Sequence, residues 1–405
     1  MKGNNSLKAV RGGVTAAKGF TASGVSCGLK KRGKDLALIV SDRPAQAAGT
    51  LTINPMKAPC VDWAKKLLAQ GTARAIIANS GNANCCTGKQ GRKDAARTAA
   101  WTAAALKIKP SDVFIASTGV IGRFLPMDKM DQGIRAAAKT LDTHGSLSAA
   151  QAIMTTDTRP KEIAIQFKIG GKPVTVGGIA KGSGMIAPNM ATMLAFLTTD
   201  ASVDAKTLRQ ILKSLVPETF NAITVDGEMS TNDMVILLAN GASVTPKIKP
   251  GSAAYKQFFQ AVATVCSYLA REIVRDGEGV TRLFTVSVTG ARKPADAQKI
   301  AQRIANSALV KTMIAGRDPN WGRIAAAAGA TDVPIDAEKI AIRIGKTTVF
   351  KNGEPARIPI SRILKEVDHP EVPIQVDLGM GRASARITSG DFTEDYIRIN
   401  ARYTT

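Results

Sequence analysis

Apolar residues fall into two kinds of pattern along the chain. Residues 36–40, 75–78 and 113–116 are short unbroken apolar runs, the pattern of strands buried on both faces. The last two lead into polar, Gly-containing stretches, Asn79-Ser80-Gly81-Asn82 and Ser117-Thr118-Gly119, which read as turns. Ile163, Ile165, Phe167 and Ile169 alternate, Gly170-Gly171 follows, and Val174 and Val176 alternate again, which predicts a β-hairpin. Helical spacing is equally plain. Leu208, Ile211, Leu212 and Leu215 form one stripe with Asp204 placed to cap its start, and Phe258, Val262, Val265 and Leu269 form another that ends at Asp276-Gly277-Glu278-Gly279. Beyond about residue 285 strand-like segments at 340–344 and 372–376 flank an Asn352-Gly353 turn, which predicts a smaller α+β domain. The expected fold class is therefore α/β (α+β).

Composition narrows the function classes. A chain of 405 residues can hold two or three cored domains. No run of about 18 apolar residues is present to span a membrane, and the N-terminal residues lack the apolar block of a secretory signal, so the expected location is cytoplasmic. Five cysteines without a CxxC pair suit free thiols rather than a zinc site or disulfide framework. With only His144 and His369 present, neither in a recognisable motif, a His-based triad or a multi-His metal site is close to excluded, and no metal is expected. The net charge of +23 suggests nucleic acid, but it is spread along the chain and aromatics are only 4%, so stacking platforms are few. A field that attracts anionic substrates accounts for it equally well.

The most informative stretch runs from 177 to 196. Gly177, Gly178, Gly182 and Gly184 free the backbone for close approaches, Pro188-Asn189 argues for a turn, and Thr192 opens the apolar strand-like run 193–197. The lysine is misplaced for a P-loop, and no GxGxxG opens a helix. On spacing alone this is either a functional loop or a tight structural turn.

Lys181-Gly182-Ser183-Gly184-Met185-Ile186 followed by Pro188-Asn189-Met190-Ala191-Thr192-Met193-Leu194 resembles the self-cleavage segment of the ornithine acetyltransferase (ArgJ) family. The resemblance extends in order through Asn79-Ser80-Gly81-Asn82-Ala83-Asn84, Ser117-Thr118-Gly119, Met154-Thr155-Thr156-Asp157-Thr158, Val225-Asp226-Gly227, Ser230-Thr231-Asn232-Asp233, Asp276-Gly277-Glu278-Gly279, Asp318-Pro319-Asn320-Trp321 and Ile399-Asn400-Ala401. It implies an N-terminal-nucleophile-type enzyme of ArgJ/DmpA-like fold that cuts itself between Ala191 and Thr192. Residues 1–191 would be an α chain, 192–285 the start of a β chain completing the catalytic core, and 286–405 a C-terminal domain whose tail returns to the active site.

The implied activity is glutamate N-acetyltransfer from N2-acetylornithine by a ping-pong cycle through acetyl-Thr192. Thr192 is the implied nucleophile, with its own freed α-amine as base. Thr118 and Gly119 are the implied oxyanion hole, and Thr155, Lys181, Thr192, Glu278, Asn400 and Thr405 the implied substrate ligands. No cofactor is implied. Acetyl-CoA stays open as a second donor, and the implied assembly is a heterotetramer of two α and two β chains. By residue type alone, Lys181 and Glu278 read instead as solvated charges, Asn400 as a turn residue and Ser117-Thr118-Gly119 as an ordinary turn. Cys85 stands where the family commonly has alanine, and Arg123 and Arg402 where neutral or acidic residues are expected; Arg402, between two implied ligands, bears on substrate preference. Two rivals are an N-terminal-nucleophile amidase or aminopeptidase passing the acyl group to water, and a basic nucleic-acid-binding protein.

Overall fold

The computed structural model describes residues 7–187 and 193–402. Its strands, in chain order, begin with β1 (Lys8–Val10), β2 (Phe20–Val25), β3 (Leu36–Leu51), β4 (Thr72–Asn82) and β5 (Val113–Val120). They continue with β6 (Lys161–Ile169), β7 (Lys172–Lys181), β8 (Leu194–Thr199), β9 (Ile223–Thr224) and β10 (Met234–Ala239). The last are β11 (Leu283–Ala291), β12 (Ala341–Ile344), β13 (Thr347–Lys351), β14 (Glu354–Pro355), β15 (Glu371–Asp377) and β16 (Ala383–Gly390). Among the described residues these make two sheets. One runs β1-β6-β7-β8-β10-β3-β4-β5 with β2 alongside β3, and the other runs β14-β13-β12-β15-β11-β16-β9. The architecture is mixed α/β with layered sheets, as the apolar patterning predicts.

The unbroken apolar runs mark strands covered on both faces. In β10, Met234, Ile236 and Leu238 enter one core, and Val235, Leu237 and Ala239 enter the other. Leu194 and Phe196 against Ala195 and Leu197 divide in the same way on β8. A strand with helices on both sides can afford no polar position, so its sequence does not alternate. The first core is closed by helices Pro59–Gln70, Gly88–Leu106, Met127–Lys139 and Ser146–Ile153. The second is closed by Ala205–Leu215 and Ala253–Arg275. Asp204 caps the former as expected, its carboxylate accepting the Thr207 N–H at 2.8 Å. The 163–176 alternation forms β6 and β7, paired Ile169 to Lys172 across Gly170 (φ 58°) and Gly171 (φ 81°), the left-handed pair a two-residue hairpin turn requires.

The two Gly-containing stretches read as turns after 75–78 and 113–116 are instead continuations of β4 and β5. The strands run on in parallel, Ser80 beside Thr118 and Gly81 beside Gly119. Close approach explains the glycines: a Cβ on Gly119 (φ 127°) would lie 2.5 Å from the Gly81 carbonyl carbon. Gly-Asn and Thr-Gly pairs carry the same local signal in a turn and in two backbones pressed together.

A buried charge cluster ties the hairpin to the end of helix Ala253–Arg275. Lys161, at the start of β6, donates to Asp157 Oδ1 at 2.7 Å and to Asp276 Oδ2 at 2.5 Å, with all three side chains at most 3% exposed. Burial pushes the Asp157 carboxyl up, but the charges of Lys161 and Lys181 and the Gly182 N–H outweigh it and hold it at about 2. Asp276 also accepts from the Thr158 hydroxyl and N–H, and its carbonyl accepts from Ser183 Oγ at 2.7 Å. Replacing Lys161 by Met would leave two buried carboxylates facing each other without a cation. Lys161→Met should therefore cost about 3–5 kcal/mol in urea unfolding at pH 7. Because Asp157 is held below its ordinary value of 3.8, its contribution is present above about pH 4 and is lost as pH falls toward about 2. The stability gap between wild type and Lys161→Met should narrow over that interval; a gap constant from pH 7 to pH 2.5 would contradict the assignment.

Candidate active site

One cavity of about 140 Å³ gathers every described residue that the sequence marked for binding or catalysis: Thr118, Gly119, Thr155, Lys181, Glu278 and Asn400. Ala191, Thr192 and Thr405, with the Pro188-Asn189 turn, lie outside the described residues. The elements that deliver the six come from distant parts of the chain. Thr118 and Gly119 end β5, Lys181 ends β7, Thr155 follows helix Ser146–Ile153, Glu278 follows helix Ala253–Arg275, and Asn400 lies on the last helix, Glu394–Arg402.

Lys181 sits at the centre. Its ammonium donates to Thr155 Oγ1 at 2.8 Å and, more weakly, to Thr118 Oγ1 at 3.4 Å. It is 1% exposed, against the solvated charge that its residue type suggests. Burial lowers its affinity for a proton, and the charge of Lys161 adds to that, while Asp157, Asp233 and Glu278 restore part of it. The same β6–β7 hairpin that carries Lys181 pairs it with Leu194, two residues after Thr192.

The opposite wall is acidic. Glu278 is 6% exposed, also against the surface role expected from residue type alone, and Asn400 Nδ2 donates to its Oε2 at 2.7 Å. Asn400 is helical rather than in a turn, so the helix Glu394–Arg402 brings the tail against the Glu278 carboxylate. The Glu278 N–H donates to the Ser183 carbonyl at 2.9 Å, and a Cβ on Gly184 would meet the Glu278 carboxyl at 2.6 Å. Gly184 is thus a glycine because a carboxylate lies against its backbone.

Other side chains hold these groups without having been assigned roles from the sequence. Asp157 accepts from the Thr155 N–H at 3.0 Å and the Gly182 N–H at 2.8 Å, fixing the residues around Lys181. Asn232 Nδ2 donates to the Ser117 carbonyl at 2.8 Å and the Ala83 carbonyl at 2.7 Å, which supports the end of β5. Asp226 accepts from the backbone N–H groups of Met185 and Ile186 at 2.5 and 2.8 Å, and Tyr396 joins it in lining the cavity. Asp226, Asn232 and Asp157 stood in the recognised motifs as landmarks only. Tyr396 carried no sequence signal, since a lone tyrosine on a polar helix is ordinary.

The two histidines are exposed and away from the cavity. His144 pairs with Asp142 at 3.1 Å on the surface. Among the departures, Cys85 is buried with its thiol against the Met56 carbonyl at 3.1 Å, and Arg402 is exposed. Among the described residues, no helix is long and apolar enough to cross a membrane. The cavity lining thus includes two hydroxyls with a buried cation and a carboxylate with an amide. That set can hold a small zwitterion by both ends.

Comparison with known proteins identifies the family. The ArgJ family model matches residues 21–405. The arginine biosynthesis bifunctional protein ArgJ of Symbiobacterium thermophilum is 48% identical over 397 residues, 97% of this chain and 99% of its own. The ArgJ 1 protein of a Nostoc species is 47% identical, covering 98% of both chains. Among solved structures, the ornithine acetyltransferase of Mycobacterium tuberculosis complexed with ornithine is 41% identical over 45% of this chain and 98% of that one, with a TM-score of 0.42. With a family match from residue 21 to the last residue and near-half identity over almost the whole length, the chain belongs to the ArgJ family.

Proposed function

We propose that the chain transfers the acetyl group of N2-acetylornithine to glutamate through an acetyl ester on Thr192, after cutting itself between Ala191 and Thr192. Membership of the ArgJ family makes it an acyltransferase of arginine biosynthesis. The observation that carries the finer reading is the convergence of Thr118, Gly119, Thr155, Lys181, Glu278 and Asn400 on one cavity beside the strand that follows Thr192.

In this mechanism Thr192 Oγ attacks the acetyl carbonyl of N2-acetylornithine. The Thr192 α-amine, freed by the cut, takes the hydroxyl proton. An α-amine titrates near about 7.7–8.0, so a useful fraction is neutral at physiological pH. The nearby Lys181 charge favours that neutral form. The developing oxyanion is met by the Thr118 hydroxyl and the Gly119 N–H. Ornithine leaves, glutamate enters, and its amine takes the acetyl group. Lys181 with Thr155 suits the ligand's carboxylate, and Glu278 with Asn400 suits an ammonium, with Thr405 completing the ligand set. The positive field of the chain draws anionic substrate toward the site.

The word bifunctional in the relatives' names supports acetyl-CoA as a second acetyl donor. The same reading takes the cut α and β chains as a heterotetramer in the cytoplasm, with no cofactor and no specific nucleic acid.

Intact-mass measurement of freshly expressed wild type should show two chains meeting at Ala191/Thr192, and Thr192→Ala should stay whole and transfer no acetyl group. Wild type that stays whole and folded would overturn the mechanism. In the cut enzyme, Thr118→Ala should lower kcat for acetylglutamate formation about 100-fold or more, the effect of losing one oxyanion donor. A change in KM alone would move Thr118 from the oxyanion hole to substrate binding.

A further inference from the structure

Lys311 is a buried cation that the mechanism above leaves unused. It lies on helix Ala308–Ala315, which packs into the core of the second sheet, and it is 1% exposed. Its ammonium donates to the Val225 carbonyl at 2.8 Å, the Ser389 hydroxyl at 2.6 Å and the Gly390 carbonyl at 2.8 Å. The rings of Phe284 and Phe392 lie beside it, with centroids 5.7 and 5.1 Å away. All three ammonium protons are thus used, and none goes to a carboxylate. Burying an ammonium is costly, and neutral acceptors repay only part of that cost.

Two of these contacts lead to the cavity. Val225 precedes Asp226, which lines the cavity and accepts the Met185 and Ile186 N–H groups. Phe392 stacks on Tyr396 with centroids 4.4 Å apart. Tyr396 also lines the cavity, its hydroxyl 3.5 Å from Asp226 Oδ2. Lys311 therefore fixes two lining residues that come from different parts of the chain. It also carries charge, and the charged groups that act on it are Asp226 and Asp391. The Asp391 carboxylate, just after β16, is taken up by the Thr281 N–H and hydroxyl and the Arg282 N–H. Asp226 is the one that belongs to the cavity.

The charges of the lining do not balance. Among the described residues it holds three carboxylates, Asp226, Glu228 and Glu278, and one ammonium, Lys181. Burial raises the Asp226 carboxyl and the Glu278 charge adds to that, with backbone N–H groups opposing. Such a lining attracts a cationic side chain and repels an anionic one. The acetyl transfer proposed for this site takes one of each in turn, an ornithine side chain ending in an ammonium and a glutamate side chain ending in a carboxylate. We propose that Lys311 is a specificity-determining positioning residue, which holds Asp226 and Tyr396 in the lining and offsets its excess of carboxylates so that the anionic acceptor binds. The proposal rests on that reading of the site.

Loss of the charge and loss of the geometry act differently. Without the charge, glutamate is repelled more while ornithine is held no less. A displaced Asp226 or Tyr396 would weaken both. Burial also pushes the Lys311 ammonium down to about 7, against the opposing charges of Asp226 and Asp391. Between pH 6 and 8.5 the residue therefore passes from charged to neutral while keeping an amine that still donates. Phe284, Phe392, Ser389 and the Val225 and Gly390 carbonyls, its remaining neighbours, do not titrate there.

The test is calorimetric binding of glutamate and of ornithine to the full enzyme, alongside an acetyl-transfer assay. The two amino acids share their α-groups and differ in side-chain charge, so the ratio of their dissociation constants isolates that charge. In wild type the ratio should move about tenfold toward ornithine as pH rises from 6 to 8.5. Lys311→Met, and Lys311→Gln, which keeps a donor, should show about that shift already at pH 6 and little further change with pH. Wild type that transfers no acetyl group would overturn the reading of the site itself. In an active enzyme, folded variants that keep the wild-type ratio, or weaken both ligands equally, would overturn the role of Lys311 alone. If neither variant folds, wild type decides: a ratio that is constant from pH 6 to 8.5, or that moves toward glutamate, would overturn it.

Discussion

Two carboxylates and one ammonium, removed from water together, set the geometry on which the cavity depends. Lys161 cannot leave Asp157 or Asp276 without exposing the other charges to an apolar interior. The 155–158 loop, the β6–β7 hairpin and the end of helix Ala253–Arg275 must therefore meet at one point. From that point the backbone delivers Thr155 through the Asp157 carboxylate, Lys181 through the Gly182 N–H, and Glu278 through Ser183. Asp157, Lys161 and Asp276 do not line the cavity themselves. Their cluster works by leaving the functional residues no other place to be.

The cavity then brings opposite charges, Lys181 and Glu278, into one lining. A buried ammonium on one wall and a carboxylate on the other make complementary ends for an amino-acid ligand, and both are dry enough to act strongly. Lys181 also binds Thr155 and Thr118 together, so the hydroxyl proposed for the oxyanion and one proposed for the ligand are held by the same group.

How much was legible depended on whether a signal was local. The Asp204 cap, the Gly170-Gly171 hairpin turn and the doubly buried run of β8 were readable because each is decided within a few residues. The ends of β4 and β5 were misread as turns, since Gly119 is a glycine for its contact with β4 and Gly81 for its approach to Leu29 and Lys30, which sequence spacing does not display. The six site residues were recognisable only as motifs of a family. By residue type Lys181 and Glu278 are surface charges, and nothing local says that they are buried.

The sequence by itself determined the alternation of strands and helices, the scarcity of histidine and the ArgJ resemblance, which implies Thr192 as the nucleophile. Those are properties of residue identity and near-neighbour spacing. Only the tertiary structure decided that residues from 118 to 400 share one cavity and that Asp157 and Asn232 brace it. Burial and pairing of charge are settled by segments far apart in the chain, and desolvation acts on their sum rather than on any one of them.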